Sequence, residues 1–357
     1  MDNENIYLID NNLNYSRYSA EGLHSLNLNR WNGWLCSAGL RSLYIDFDGN
    51  VWRATCSEGG WIGNINSMTG LVRGDTLTDG IWVECKKEVC ACGADMAVPK
   101  VKDKKFIPIF FKIDGKKAQG LSIKEHLDKN TTTIDPSIVY SDANEMFKTV
   151  IWDIGRLCNF DCHYCSKNSH NNFDPVKNLK FMTNAYENIQ NNWNVNKEKI
   201  KFVITGGEPT VYRDYLPFVK MVKEEGHIVH TTTNGSNSEE YYKELAKYSD
   251  IAFSIHLNYV KHFGIEKFTK SVKAAATTTD QGYIDESESK YNWVIVRIML
   301  DPGNLEIAKE VYNSFKENFS IHKNFVLAVD LVHDTSSGKE LYNYSKEELD
   351  WISSIHS

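Results

Sequence analysis

Three cysteines stand close together in the middle of the chain, in the segment Cys158-Asn-Phe-Asp-Cys162-His-Tyr-Cys165. The spacing C-x3-C-x2-C can place three thiolates around one cubane iron–sulfur cluster, which normally takes four protein ligands. One iron would then stay open to a small molecule. The alternative is a zinc site completed by His163 or His170. The loop therefore predicts a metal centre, with an iron–sulfur cluster as the first interpretation.

The other five of the eight cysteines precede this loop. Cys36 and Cys56 flank a strand-turn-strand pattern with Asp48-Gly49 at its turn, which is typical of a β-hairpin and would bring the two thiols side by side. Because no secretion signal precedes them, clustered thiols favour metal binding over disulfides. Two further ligands would come from a later group, and which two stays open. That group is Cys85, Cys90 and Cys92.

Strands and helices that could position these residues are predicted from about residue 149 onward, where apolar β-rich runs alternate with amphipathic helical patterns. The clearest helix begins after Asp214, interpreted as its N-cap. Such repeats favour a parallel sheet with right-handed crossovers, and thus an α/β fold. The six runs are Thr149 to Ile154, Lys201 to Ile204, His227 to Thr232, Ile251 to Ile255, Trp293 to Leu300 and Phe325 to Val332.

The region before residue 101 has a different sequence pattern, with short strand-like runs, many glycines and five cysteines. We interpret residues 1–100 as a small β-rich metal domain. Residues 101–148 are interpreted as a hairpin, with the apolar run Phe106 to Ile113, plus a connector. Residues 149–357 form the larger α/β domain.

A second motif ends the second strand run, in the segment Thr205-Gly206-Gly207-Glu208-Pro209. Two glycines allow the backbone to approach a ligand closely. The carboxylate that follows would suit an ammonium group. By itself such a turn is more often only a strand-to-helix loop, so its value depends on its place one strand after the cysteine loop.

With the cysteine loop, this turn and the strand order together, residues 149 to 334 resemble the radical S-adenosylmethionine (SAM) superfamily. The resemblance implies a partial (β/α)6 barrel in which Cys158, Cys162 and Cys165 hold a 4Fe-4S cluster. The open iron would be chelated by the amino and carboxylate groups of SAM. The turn would bind the amino group, through Gly206, Gly207, Glu208 and Pro209.

The resemblance also implies further SAM contacts. Tyr164, before the third cysteine, would pack near the adenine. Arg297 interrupts an apolar strand and would pair with the SAM carboxylate, although Asp330 is an alternative partner. Residues at the ends of the third and fourth strands would touch the ribose or carboxylate. These are Thr232, Asn234, Ser254 and His256.

The N-terminal hairpin resembles the auxiliary-cluster extension called SPASM or twitch, here placed before the barrel. This resemblance implies a second 4Fe-4S cluster, held by Cys36, Cys56 and two of the later group. A zinc ribbon is the alternative. An auxiliary cluster would help to bind substrate or take an electron from it.

The family resemblance implies that an electron cleaves SAM to a 5'-deoxyadenosyl radical, which abstracts hydrogen from a substrate carbon. We expect a peptide or protein substrate first, a sugar or small alcohol second, and a flavodoxin or ferredoxin as electron donor. A non-catalytic zinc or iron–sulfur module is the competing interpretation. The net charge of −7 gives no reason to expect nucleic acid or membrane binding. We expect a cytoplasmic protein, since no leader or membrane-spanning run is seen.

Overall fold

A computed structural model of the chain describes most of its residues. Strands are numbered β1–β15 and helices α1–α9 in chain order. The described ranges are 6–12, 14–66, 82–90, 92–105, 135–141, 147–165, 177–194, 197–281, 292–322, 324–332 and 342–356.

The strands form two sheets, of nine and six strands in the described ranges. The strands are β1 Ile6–Ile9, β2 Tyr15–Tyr18, β3 Leu35–Cys36, β4 Ser42–Ile45, β5 Asn50–Trp52, β6 Trp61–Asn64, β7 Val83–Glu84, β8 Lys100–Val101, β9 Ile138–Ser141, β10 Lys148–Asp153, β11 Ile200–Thr205, β12 Ile228–Thr233, β13 Asp250–His256, β14 Val294–Leu300 and β15 Phe325–Leu331. The helices are α1 Ala20–Ser25, α2 Gly93–Ala97, α3 Leu179–Asn192, α4 Tyr215–Glu224, α5 Glu239–Leu245, α6 Leu257–Phe263, α7 Ile265–Gln281, α8 Leu305–Phe319 and α9 Lys346–His356.

The nine-stranded sheet has the order β15-β14-β13-β12-β11-β10-β4-β5-β6. From β10 to β15 each strand pairs in parallel with the next, so the six predicted strands are present in their predicted order. Helices follow these strands as expected for crossover connections. The carboxyl ends of all six strands consequently meet at one edge of the sheet.

One face of this sheet carries the main hydrophobic core. Successive side chains of a strand point to opposite faces, and the core takes alternate residues such as Phe253 and Ile255 of β13 and Val296 and Ile298 of β14. The other face carries Ser254, His256 and Arg297. Polar groups predicted to serve the site therefore share the face that is turned away from the helix-packed core.

The N-terminal hairpin is present, but it belongs to the large sheet. Antiparallel pairing of β4 with β5 closes at a turn where Gly49 has a φ of +79°, as the Asp-Gly signal predicts. Strand β4 also pairs in parallel with β10. The sheet thus continues across the predicted boundary at residue 149.

Cys36 does not lie at the base of that hairpin, contrary to the expectation from spacing. It lies in β3, part of a separate antiparallel sheet with the order β2-β1-β9-β8-β3-β7. A turn at Gly39, with a φ of +89°, redirects the chain before β4 begins. Within the predicted connector, β9 pairs with β1 and β8 and so belongs to this sheet. The predicted hairpin at Phe106 to Ile113 lies outside the described residues.

The helix predicted after Asp214 is α4, and Asp214 occupies its N-cap position. Its carboxylate does not cap that helix. It accepts a hydrogen bond of 3.0 Å from the backbone N–H of Leu179 at the start of α3. The side chain therefore links two neighbouring helices, which spacing along one helix could not reveal.

Candidate functional site

The cysteine loop directly follows β10, at the carboxyl edge of the parallel strands. Cys158, Cys162 and Cys165 are half-buried. The backbone N–H of Phe160 donates to the Cys158 sulfur at 3.4 Å, and that of Cys165 donates to the Cys162 carbonyl oxygen at 2.9 Å. Both contacts fold the loop back on itself.

These thiols affect one another electrostatically. The pKa of Cys158 is raised to about 11, mainly by burial and also by the Glu208 carboxylate and the Cys165 thiol. The pKa of Cys162 is raised to about 12, mainly by burial and also by the thiols of Cys158 and Cys165. Such thiols become good ligands only when a metal takes the place of the proton. Three adjacent thiols of this kind fit three corners of a cluster.

An aromatic stack supports the loop from the side of α6. The ring of Phe160 lies parallel to that of Tyr259, with their centroids 3.6 Å apart. The Tyr259 hydroxyl also accepts a hydrogen bond from the backbone N–H of Asp161. The residues between the first two cysteines are thereby held against α6.

The two glycines of the second motif are required by close backbone packing. A Cβ on Gly207 would lie 2.3 Å from the Leu157 carbonyl oxygen, and one on Gly206 would lie 2.7 Å from that of Gly155. The backbone N–H of Gly207 donates to Gly155 at 2.7 Å, and that of Glu208 donates to Leu157 at 2.8 Å. The turn is therefore hydrogen-bonded to the segment that leads into Cys158.

Glu208 is almost fully buried, and its carboxylate accepts hydrogen bonds from groups of this chain. Oε1 accepts from the Thr210 backbone N–H at 3.0 Å, the Thr210 hydroxyl at 2.6 Å and the Thr233 hydroxyl at 2.8 Å. Oε2 accepts from the Asn234 backbone N–H at 2.5 Å. Burial raises the pKa of Glu208, while these hydrogen bonds lower it. The carboxylate therefore joins the ends of β11 and β12, and sequence inspection missed both threonines.

The end of β12 contacts the cysteine loop as well. The Asn234 side-chain amide donates to Asn159 at 2.9 Å, and Asn159 in turn donates to Ser236 at 2.8 Å. The Asn234 amide also lies close enough to Cys158 to lower its pKa. Thr232 is half-buried near the end of β12, the strand next to the one that ends in the Gly-Gly turn. Of the two predicted contacts on this strand end, Asn234 is the one held against the loop.

The remaining predicted residues fall into two places. Tyr164 and His256 are hydrogen-bonded, with the Tyr164 oxygen 2.5 Å from His256 Nδ1. Burial lowers the pKa of His256 to about 4. Arg297 is ion-paired with Asp330 at 2.9 Å, which was the alternative partner considered for it. Ser254 is the register partner of Arg297 on the neighbouring strand.

The five N-terminal cysteines lie on elements of both sheets: Cys36 is in β3 of the six-stranded sheet, and Cys56 lies between β5 and β6 of the nine-stranded sheet. Burial raises the pKa of each thiol, to about 12 for Cys56 and Cys92. The thiols of Cys36 and Cys85 raise the pKa of Cys56, and those of Cys36 and Cys56 raise the pKa of Cys90. These thiols consequently lie near one another in folded space, as a shared site requires.

No group of three or more His, Cys, Asp or Glu side chains in the described part of the chain is arranged to hold one metal ion. The four ligands of an iron–sulfur cluster bind different iron atoms, so their sulfurs need not converge on a single point. The donor chemistry at both sites is thiol-rich and fits iron–sulfur clusters.

A carboxylate between the two cysteine groups was also missed by sequence inspection. The Tyr44 hydroxyl of β4 donates to Asp153 Oδ2 of β10 at 2.5 Å. Burial raises the pKa of Asp153 to about 6. Asp153 is the register partner of Thr205, the residue before the Gly-Gly turn. The Cys92 thiol raises the pKa of Tyr44, so the hydrogen-bonded pair of Tyr44 and Asp153 lies near the N-terminal cysteines.

Comparison with known proteins agrees with this geometry. Residues 152–304 match the family described as the Radical SAM superfamily. Residues 152–304 thus carry a radical SAM domain, a class defined by a 4Fe-4S cluster and SAM, and these comparisons leave the reaction of the chain unspecified.

Two curated relatives align with parts of the chain. A GTP 3',8-cyclase from Pasteurella multocida is 29% identical over 160 residues, which are 41% of this chain and 44% of the cyclase. A protein described as a glycyl-radical enzyme activating enzyme from Methanocaldococcus jannaschii is 35% identical over 78 residues, 22% of this chain and 28% of that protein. The chain thus spans less than half the length of either relative.

Among solved structures, Streptococcus suis SuiB bound to S-adenosylmethionine is similar over 58% of this chain and 44% of SuiB, at 18% identity and a TM-score of 0.38.

In the described residues, no helix combines the length and the apolar character needed to cross a bilayer.

Proposed function

We propose that this chain cleaves SAM reductively and abstracts hydrogen from a substrate carbon, with a second iron–sulfur cluster held by the N-terminal cysteines. The observation that carries the proposal is the three-thiol loop at the carboxyl edge of a parallel sheet, with the segment leading into Cys158 hydrogen-bonded to the Gly-Gly-Glu turn of the next strand. We take the sheet to be the partial (β/α)6 barrel of the family, and the N-terminal region to be its SPASM/twitch-like extension.

Each part of the proposed site has a role that the described contacts support. Cys158, Cys162 and Cys165 would hold the catalytic cluster. When bound, the cluster and SAM supply the 5'-deoxyadenosyl radical that removes hydrogen from the substrate. The Gly206-Gly207 backbone would face the SAM amino group, while Glu208 holds the turn in shape through Thr210 and Thr233.

Other side chains would position SAM or exclude water. Tyr164, held by His256, would pack against the adenine. Asn234 would orient the cysteine loop through Asn159. Contacts to the ribose and carboxylate are proposed for Thr232, Ser254 and Arg297. A peptide or protein is the first substrate to test and a sugar or small alcohol the second, with a flavodoxin or ferredoxin as electron donor.

Anaerobic reconstitution tests this function. We expect about eight iron and eight sulfide per chain, as two 4Fe-4S clusters require, and formation of 5'-deoxyadenosine from SAM after reduction with dithionite. Stoichiometric zinc and no SAM cleavage would instead support a non-catalytic metal module. About four iron with SAM cleavage would retain the catalytic cluster and refute the second one.

A further inference from the structure

A buried lysine lies among the N-terminal cysteines. Lys100 of β8 is 2% exposed. Its ammonium donates to the backbone carbonyl oxygens of Asp95 at 2.6 Å, Val98 at 2.8 Å and Met96 at 3.3 Å. It also lies 4.5 Å from the centre of the Trp31 ring. These groups orient the ammonium, but neutral carbonyls and a ring do not cancel its charge.

The nearest carboxylate does not cancel it by direct pairing. Asp95 Oδ2 accepts hydrogen bonds from the backbone and hydroxyl of Thr55, at 2.9 and 2.5 Å. Within the described ranges no carboxylate forms an ion pair with Lys100. Asp95 is itself buried, and burial raises its pKa although Lys100 acts to lower it. A buried cation without a bonded counter-ion is costly, so another anionic group is expected nearby.

The sheet register places thiols beside this ammonium. Lys100 is the antiparallel register partner of Cys36, so the two side chains leave the same face of the sheet. Cys36 is also paired with Val83 of β7, and Cys85 continues that strand two residues later on the same face. The Lys100 charge lowers the pKa of Cys36 and Cys85 against the effect of burial.

The surroundings make this charge effective. Trp31, Trp34, Met96 and Cys90 belong to one buried hydrophobic cluster. A charge acts more strongly across such an apolar region than across water. Because thiolates bound to iron carry negative charge, a fixed cation beside them favours the more negative, reduced state of a cluster.

We propose that Lys100 is the buried counter-charge of the iron–sulfur cluster held by the N-terminal cysteines and that it raises the reduction potential of this cluster. The proposal rests on the proposed function, which supplies the cluster. Lys100 does not bind iron in this assignment. It is a positioning residue that acts through charge.

The test uses the full chain with Cys158, Cys162 and Cys165 all changed to Ala, so that only the N-terminal cluster remains. In this background we compare Lys100→Met, Lys100→Gln and Lys100→Arg by iron content and by EPR-monitored redox titration. The matched control is Lys148→Met. Lys148 is another buried lysine, 4.7 Å from the Trp193 ring centre and ion-paired with Glu198, away from the cysteines.

We expect Lys100→Met and Lys100→Gln to shift the reduction equilibrium at least about tenfold toward the oxidised cluster, which is about 59 mV for one electron. Lys100→Arg and Lys148→Met should keep the parental potential. Loss of the cluster in Lys100→Met and Lys100→Gln, with retention in Lys100→Arg, also supports the role of the Lys100 charge. An unchanged potential in Met or Gln, or loss of the cluster in all three Lys100 variants, would overturn the proposal. A background protein without iron would refute the second cluster itself, which is a failure of the proposed function.

Discussion

The guanidinium of Arg156 and the carboxylate of Asp48 form a two-pronged ion pair, with Nη1–Oδ1 at 2.7 Å and Nη2–Oδ2 at 2.8 Å. Asp48 lies in the turn between β4 and β5, and Arg156 lies two residues before Cys158. The hydrogen bond from Arg156 lowers the pKa of Asp48. The turn of the N-terminal hairpin thereby holds the base of the loop that carries Cys158, Cys162 and Cys165.

We predict that Arg156→Lys releases iron from the catalytic loop several-fold faster to a chelator. Lysine keeps the charge but cannot form the parallel pair of hydrogen bonds. Overall stability should change by at most about 1 kcal/mol, because exposed ion pairs contribute little. Arg41→Lys is the control, since Arg41 pairs with Glu198 on other elements. Equal release rates in the two variants would show that the Asp48 pair does not support the loop.

Removing the three thiols of the cysteine loop should distinguish the two proposed metal sites. We predict that changing Cys158, Cys162 and Cys165 to Ala abolishes SAM cleavage and leaves roughly half the iron, because the second cluster would use other thiols. Circular dichroism must accompany the iron assay, since the hairpin and the parallel strands share one sheet. SAM cleavage by the triple variant would contradict the assignment of the catalytic site.

Much of the parallel sheet is predictable because most residues of its strands are buried and the strands form apolar runs in the sequence. The exceptions along those runs, such as Arg297 and His256, face away from the helix-packed core. The cysteine spacing likewise indicates a metal site without any tertiary information. Local pattern therefore suffices for elements whose neighbours in space are their neighbours in sequence.

The parts that were missed depend on contacts between distant segments. Nothing near Lys100 in the sequence shows that it faces inward, because that follows from its pairing with Cys36 in β3. The spacing of Cys36 and Cys56 predicts a common hairpin, but the turn at Gly39 places Cys36 in another sheet. The donors to Glu208 come from β12 as well as from its own turn, and no local motif marks Thr233.

Because the Glu208 carboxylate is hydrogen-bonded within the chain, its substitution should affect stability as well as SAM binding. In Glu208→Gln one carboxylate oxygen becomes an amide that faces hydrogen-bond donors, which we expect to lower the free energy of unfolding by about 1.5–3 kcal/mol. SAM should then bind more weakly because the turn loses its shape. Thermal unfolding and the SAM dissociation constant are measured together.

Thr210→Val is the matched control for Glu208, since it removes the hydroxyl donor and leaves the carboxylate in place. It should lower stability less than Glu208→Gln. Weaker SAM binding in Glu208→Gln at unchanged stability would instead show that the carboxylate contacts SAM directly.

The later N-terminal cysteines should not be equivalent. The Asp95 carboxylate lies near both thiols, but Cys90 also interacts with the thiols of Cys36 and Cys56, whereas the Cys92 thiol is hydrogen-bonded with Thr55. We predict that Cys90→Ala removes the second cluster and that Cys92→Ala retains it. Iron content and Mössbauer spectra of the two variants check this. Loss of the cluster in Cys92→Ala with retention in Cys90→Ala would reverse the assignment.

Asp153 should make stability depend on pH near neutrality. Its pKa in the folded protein is about 6, above the ordinary value of 3.8, mainly because of burial. The folded state thus holds this proton more tightly than the unfolded state, so stability falls as pH rises between these two values and stays lower above them. Asn at this position carries no charge and still offers an oxygen to the Tyr44 hydroxyl.

We therefore predict that Asp153→Asn is more stable than the parent at pH 7.5, by about 3 kcal/mol, and that this advantage shrinks at pH 5. Thermal unfolding at both pH values provides the measurement. Tyr44→Phe is the companion variant, because it removes the hydroxyl that stabilises the charged carboxylate. It should lower stability most at pH 7.5, where Asp153 is ionised. If Asp153→Asn gave no gain at pH 7.5, or the same gain at both pH values, the raised pKa of Asp153 would be wrong.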